Sequence, residues 1–472
     1  MIVDSSGQTN ADILCVDGEI VSIGQRLARP PSGEVVDAAG LFVLPGGVDV
    51  HTHFDQPIPG ARAADDFASG GDAGVAGGVT THIDMCFQSP GQTLREAADA
   101  WHGLARGKAL LDYGLHLVVV DPASGIPDIP WAVEQGYGSI KLFMAYPHLM
   151  VGDDELYDVF RACAAAGALP LVHCENGKVI QRLANEYVKG GSTEPRFHAL
   201  SRPAWLEAEA VERCATLAHL AGSAVHIVHV SSIPALNAVR RARGCGRDIS
   251  SETQPHYLTL SDEVYDQPGF ETAKYVCSPP IRTEADRRAL WRGLVNHDLD
   301  MIASDHLPFD LEDRRRLGAS DFRSIPNGIG GIEYLRPALW DGGVRTGLIS
   351  PERFVELTSV APARRFGLQR KGRIAVGLDA DLVIWDPDLT VTPDPAWSHS
   401  RTDYELYAGL TFQGGARVTV RRGQVLWDGS SVTGEHGSGR FVPRHIGMPD
   451  ARPTKPSAGH QHSRRVTVGH AE

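Results

Sequence analysis

The chain has 472 residues, 42% of them hydrophobic and 22% charged, with a net charge of −13. An acidic chain of this composition has a large core to bury and no electrostatic reason to seek nucleic acid or an anionic membrane, so small molecules are the expected partners. The seven cysteines are scattered and form no Cys-x-x-Cys pair, which suggests neither a disulfide framework nor a thiolate zinc site. Met1–Ser5 begin no basic leader with an apolar core, and no later apolar run approaches a membrane span, so a soluble cytoplasmic enzyme is expected.

In chain order, Ala11–Gly24 reads as short alternating strands separated by turn residues. Gly46–His53 reads as a strand whose period of two sends His51 and His53 to one face, where both imidazoles can reach a single ion. Val79–Phe87 and Tyr113–Val120 read as the second and third strands of a β/α alternation. Ser139–Phe143 is a further strand, carrying Lys141. Leu156, Val159, Phe160 and Cys163 then recur at helical spacing. Leu169–His173 ends on His173. Pro203 opens a helix from Ala204 to Ala221. Val225–His229 ends on His229 and Asp300–Asp305 on Asp305. After residue 370 short strands return, in Asp381–Trp385 and Ala416–Trp427. Beyond about residue 445 the composition turns to Pro, Gly, Ser and His, which predicts a flexible or subunit-contacting tail, in which His460, His462 and His470 do not make a metal tract.

The alternation predicts an α/β fold, a (β/α)8 TIM-like barrel over residues 45–370, flanked by strand-rich ends at 1–44 and 371–442, whose pattern allows but does not show one shared β-sandwich, and by the tail at 443–472. Each candidate side chain taken alone has a bland reading: a core histidine, a paired lysine, a helix cap. Their succession at the ends of consecutive strands carries the weight, because barrel enzymes keep their chemistry there.

The order His51-x-His53, Lys141, His173, His229, Asp305 resembles the amidohydrolase superfamily. The runs Lys141-Leu142-Phe143-Met144-Ala145-Tyr146, His173-Cys174-Glu175-Asn176-Gly177, Cys277-Ser278-Pro279-Pro280 and Ser304-Asp305-His306-Leu307-Pro308-Phe309 are similar to its hydantoinase and dihydropyrimidinase branch. The resemblance implies two divalent ions per chain, zinc before manganese or cobalt. It implies that His51, His53 and Asp305 hold one ion, His173 and His229 the other, and a CO2-derived carbamate on Lys141 (N6-carboxylysine) bridges them. It also implies a proton shuttle at Asp305, an oxyanion donor and substrate contact at Tyr146, substrate-binding roles for Ser278 and Asn327, and assembly as a homotetramer or homodimer. The expected reaction is opening of dihydropyrimidine or hydantoin rings. Allantoinase or dihydroorotase chemistry, and a non-catalytic scaffold on the same fold, are the alternatives. Three departures bear on substrate preference or packing: Pro147-His148-Leu149 after Tyr146, the loop Phe54–Gly60, and Leu307. Asp55 stands where relatives that bind acidic rings place Arg or Asn, and Arg62 is the only cation between His53 and Asp65. A neutral ring is therefore expected.

Overall fold

The computed structural model describes residues 1–28, 33–446 and 465–469. Eight strands, Gly47–Thr52 (β1), Val79–Phe87 (β2), Asp112–Val118 (β3), Ser139–Phe143 (β4), Leu169–His173 (β5), Val225–Ile227 (β6), Ile249–Thr253 (β7) and Met301–Ile302 (β8), pair as neighbours in sequence order. Every pairing among them is parallel. Their residues are buried almost without a break, as expected of strands covered on both faces, and for that reason they lack alternating polarity. The sheet closes on itself through His306. Its N–H donates to the His51 carbonyl at 3.3 Å and its carbonyl accepts from the His53 N–H at 3.0 Å. Closure makes the first and last strands neighbours and produces a (β/α)8 barrel.

The covering helices carry local signals that agree with their positions. Leu94–Ala105 begins at a capping box between Thr93 and Glu96, and Asp153–Ala166 buries Leu156, Val159, Phe160 and Cys163 before Gly167 ends it in the left-handed conformation. Ala204–Leu220 follows Pro203. No helix among the described residues is long and apolar enough to cross a membrane.

The chain ends build a second, β-rich unit. Phe42–Pro45 pairs antiparallel with Leu382–Val391 inside a six-stranded sheet. Ile2, Val43, Leu382, Ile384 and Val420 from that sheet pack with Ile13, Cys15, Ile20 and Val36 of a smaller one. At the junction with the barrel, Lys371 is buried between Asp112, Asp379 and Asp381, with Nζ to oxygen distances of 2.7, 3.0 and 2.8 Å.

The structure departs from the sequence reading in three places. The third strand runs from Asp112 to Val118 and stops short of Val120. The sixth and eighth strands end at Ile227 and Ile302, so His229 and Asp305 sit on the loops beyond them. The described parts of the expected flexible or subunit-contacting tail pack on this chain itself. Arg444 is fully buried and donates to the Leu115 carbonyl at 2.5 Å, while Arg465–Gly469 pairs antiparallel with Asp12–Val16 and parallel with Glu34–Asp37. Two otherwise open strand edges are thereby covered, a long-range gain that composition does not encode. His460, His462 and His470 lie outside the described residues.

Candidate active site

A cavity of about 1010 Å3 opens at the C-terminal ends of the barrel strands. All nine residues singled out in the sequence line it: His51, His53, Lys141, Tyr146, His173, His229, Ser278, Asp305 and Asn327.

His51 and His53 converge on Asp305, with Nε2 atoms 3.1 and 3.2 Å from the same carboxylate oxygen. These three offer ligand atoms within 4.8 Å of one another, a spacing that can hold a cation. His51 is turned by Glu252 at the end of β7, whose oxygen stands 2.5 Å from Nδ1. The other Glu252 oxygen meets His226 Nε2 at 3.0 Å. Burial would raise the Glu252 carboxyl, yet His51 and His226 outweigh it and hold it down at about 2. The ionised carboxylate thus orients the imidazole so that its far nitrogen faces the cavity, as at metal-bound histidines.

A second pair lies alongside, the His51 and His229 rings being 5.7 Å apart. His173 Nε2 is 2.8 Å from Glu175, which leaves Nδ1 to face His229 Nε2 at 2.8 Å. Burial lowers both imidazoles, His229 well below its ordinary value, and pushes His53 down to about 4. Each therefore presents a neutral lone pair, the form that binds metal. Asp305 stays ionised: burial opposes it, but His51 and His53 hold its carboxyl well below the usual range.

Lys141 projects from β4 into this group and is 1% exposed. Its Nζ lies 4.9 Å from the centre of the Phe143 ring. Burial brings the ammonium down to about 8, which raises the share of neutral, nucleophilic amine at neutral pH.

Tyr146 lies beyond β4, 5.3 Å ring to ring from His173. Ser278 Oγ donates to Asn327 Oδ1 at 3.1 Å, and Asn327 Nδ2 donates to the Ile325 carbonyl at 3.0 Å. Tyr146, His229 and Asp305 have φ of 66°, 39° and 51°, a left-handed conformation that costs non-glycine residues roughly 1–3 kcal/mol each and gathers at functional sites.

The sequence reading missed the carboxylates and the arginine behind these groups. Glu175, two residues after His173, and Glu252, the lone acid of its strand, were visible as charges but not as partners of these histidines. Arg202 was not: it reaches Glu175 from 27 positions away, Nη1 to Oε2 at 2.7 Å. Of the divergent loops, Gln56–Pro59, Pro147–Leu149 and Leu307 all line the cavity. Asp55 does not, being turned to Arg62 and Lys108, each at 3.5 Å.

Residues 42–426 match the model of the Amidohydrolase family. The chain is 40% identical over 451 residues to D-hydantoinase of Streptomyces coelicolor (strain ATCC BAA-471 / A3(2) / M145), spanning 94% of this chain and 96% of that one. It superposes on dihydropyrimidinase from Brevibacillus agri NCHU1002 with a TM-score of 0.92 at 38% identity, over 96% and 98% of the two chains. L-Hydantoinase (Dihydropyrimidinase) from Arthrobacter aurescens gives 0.85 at 31% identity, over 94% and 98%. A barrel with this histidine and aspartate cluster, matched over nearly its whole length by these relatives, belongs to the amidohydrolase family, in its hydantoinase and dihydropyrimidinase group.

Proposed function

We propose that this chain is a binuclear metal-dependent hydrolase that opens hydantoin and dihydropyrimidine rings to N-carbamoyl amino acids. The observation that carries the reading is the convergence of His51, His53 and Asp305 beside His173 and His229 in one cavity mouth. The donor set of imidazoles and one carboxylate suits zinc, with manganese or cobalt as substitutes. Two such cations, when bound, polarise the scissile carbonyl and acidify water.

The chain's own residues do the rest. Lys141 has no acceptor as an ammonium. Its neutral amine would attack CO2 and release a proton, and the resulting carbamate would give this side chain two acceptor oxygens with which to hold the cations. Asp305 accepts a proton from the attacking water and returns it to the departing ring nitrogen. The Tyr146 phenol donates to the carbonyl oxygen as negative charge builds on it. Ser278 and Asn327 hold the ring.

Charge favours a neutral ring. The two arginines lining the cavity are each paired, Arg202 with Glu175 and Arg323 with Asp321, and Arg62 donates to the Asp55 carbonyl at 2.7 Å. A ring carboxylate would be desolvated beside guanidinium charges that carboxylates of this chain already neutralise. The exposed Leu200, Trp205 and Leu220 are apolar surface that assembly as a homodimer or homotetramer would cover. Measuring kcat/KM on metal-loaded enzyme for dihydrouracil, dihydrothymine, 5-substituted hydantoins, dihydroorotate and allantoin tests the reading. The first three classes are the expected substrates, and a preference for dihydroorotate or allantoin overturns the assignment of the ring.

A further inference from the structure

Arg202 sits just before the helix Ala204–Leu220, on no barrel strand, yet its side chain reaches the cavity wall. Only 8% of the residue is exposed, a rare state for a guanidinium unless something is gained from it. Two contacts account for the burial. Nη1 donates to Glu175 Oε2 at 2.7 Å, the same oxygen that lies 2.8 Å from His173 Nε2. The guanidinium carbon also stands 5.5 Å from the centre of the Tyr146 ring, within reach of a cation–π attraction. Tyr146 itself has a left-handed backbone conformation; its side chain is hydrogen-bonded with Ser278, and the guanidinium is a second contact, on the ring. The arginine backbone is pinned as well: its carbonyl accepts from the Arg282 guanidinium at 2.5 Å. One Arg202 nitrogen, Nε, is buried without a partner, so burial is not explained by complete hydrogen bonding of the group.

We infer that Arg202 is a positioning residue that ties the Tyr146 phenol to the His173 end of the metal site, one cation orienting both. It fixes the Glu175 carboxyl group in place, so that Glu175 holds His173 with Nδ1 toward the cavity. With its other face it carries the Tyr146 ring. The link makes the Tyr146 phenol and the His173 imidazole move as a unit, which a lysine cannot reproduce because it lacks the planar fork and face. The inference rests on the proposed roles of Tyr146 and His173.

The test is a cycle of Arg202→Met, Tyr146→Phe and the double variant, with kcat and KM for dihydrouracil and metal affinity by chelator competition. Arg202→Met is expected to lower kcat roughly 10–100-fold with little change in KM, and to weaken one metal equivalent by a similar factor. Tyr146→Phe alone is expected to lower kcat roughly 10²–10³-fold, and the double variant to fall short of the product of the two losses by about threefold or more. Arg202→Lys should recover part of the metal affinity, and it carries the same cycle if Arg202→Met does not fold. Losses that simply multiply, or a metal affinity equal to the parent's, overturn the inference. A Tyr146→Phe variant with full kcat would instead remove Tyr146 from the proposed mechanism, while the chelator competition would still decide whether Arg202 secures His173.

Discussion

His173 Nδ1 stands 2.8 Å from His229 Nε2 at the mouth of the barrel. Two neutral imidazoles that face each other so closely either share one proton or face a common cation. Glu175 on the far side of His173 takes the only N–H of that neutral ring and leaves a lone pair toward His229, which can accept from His229 in the metal-free chain and turn to a cation when one binds. Elemental analysis of the purified protein is therefore expected to give two divalent ions per chain. Removing them with a chelator should abolish turnover and lower Tm, since an ion present at about 100 times its Kd stabilises a folded chain by about 2.7 kcal/mol. A chain that keeps full activity after stripping would not have this centre.

Lys141 is buried in the middle of β4 and lines the same cavity as the histidines, with its amine drawn toward the neutral form. Lys141→Ala should lose most activity and at least one metal equivalent, and short carboxylates added in solution should restore part of both by supplying the missing oxygens. Intact-mass measurement under native conditions, where the carbamate survives, should show the CO2 adduct on the parent and not on the variant. Full activity in Lys141→Ala would sink the bridging role.

Asp305 touches both His51 and His53 and remains charged in spite of burial. Asp305→Asn keeps the shape and one ligating oxygen but cannot take up a proton. It should retain measurable metal and lose roughly 10²–10⁴-fold in kcat, the range that a positioned acid–base group contributes. An unchanged rate would assign the proton transfer elsewhere.

Glu252 gives a prediction in pH. Its carboxyl moves from an ordinary 4.5 to about 2 in the folded chain; burial works against this, and His51 and His226 overcome it. A folded value below the unfolded one contributes stability that is present above about pH 4.5 and lost as pH falls through about 2. On metal-free protein, Glu252→Gln should therefore unfold earlier than the parent at pH 7, by roughly 3–5 kcal/mol for a broken buried pair. The gap should narrow as pH drops below 4.5. Denaturant unfolding at several pH values measures it, and a gap independent of pH would mean that packing, not charge, is what Glu252 supplies.

What the sequence by itself determined was periodic and local. The period of two put His51 and His53 on one side of a strand, the apolar run ending in His173 marked a strand whose last residue lines the barrel mouth, and the run ending in His229 marked a strand that stops two residues earlier. The alternation of those runs with helices implied the barrel, and the barrel implied that the ends meet. Boundaries were less legible, because β6 and β8 hand over to loops at Ile227 and Ile302, where the choice depends on hydrogen bonds across the closed sheet rather than on local preference.

Only the tertiary structure decided the groups behind the site. Glu252 reaches His51 from 201 positions away, Arg202 reaches Glu175 from 27, and His306 joins the first and last strands across about the same 250-residue gap that separates Asp49 from Ser304. The described part of the tail owes its strand to partners at Asp12–Val16 and Glu34–Asp37. Such contacts arise when distant segments are brought to one place by burying apolar surface, a force without direction. Which charge then meets which imidazole is set by the geometry of closure, and no local pattern records it.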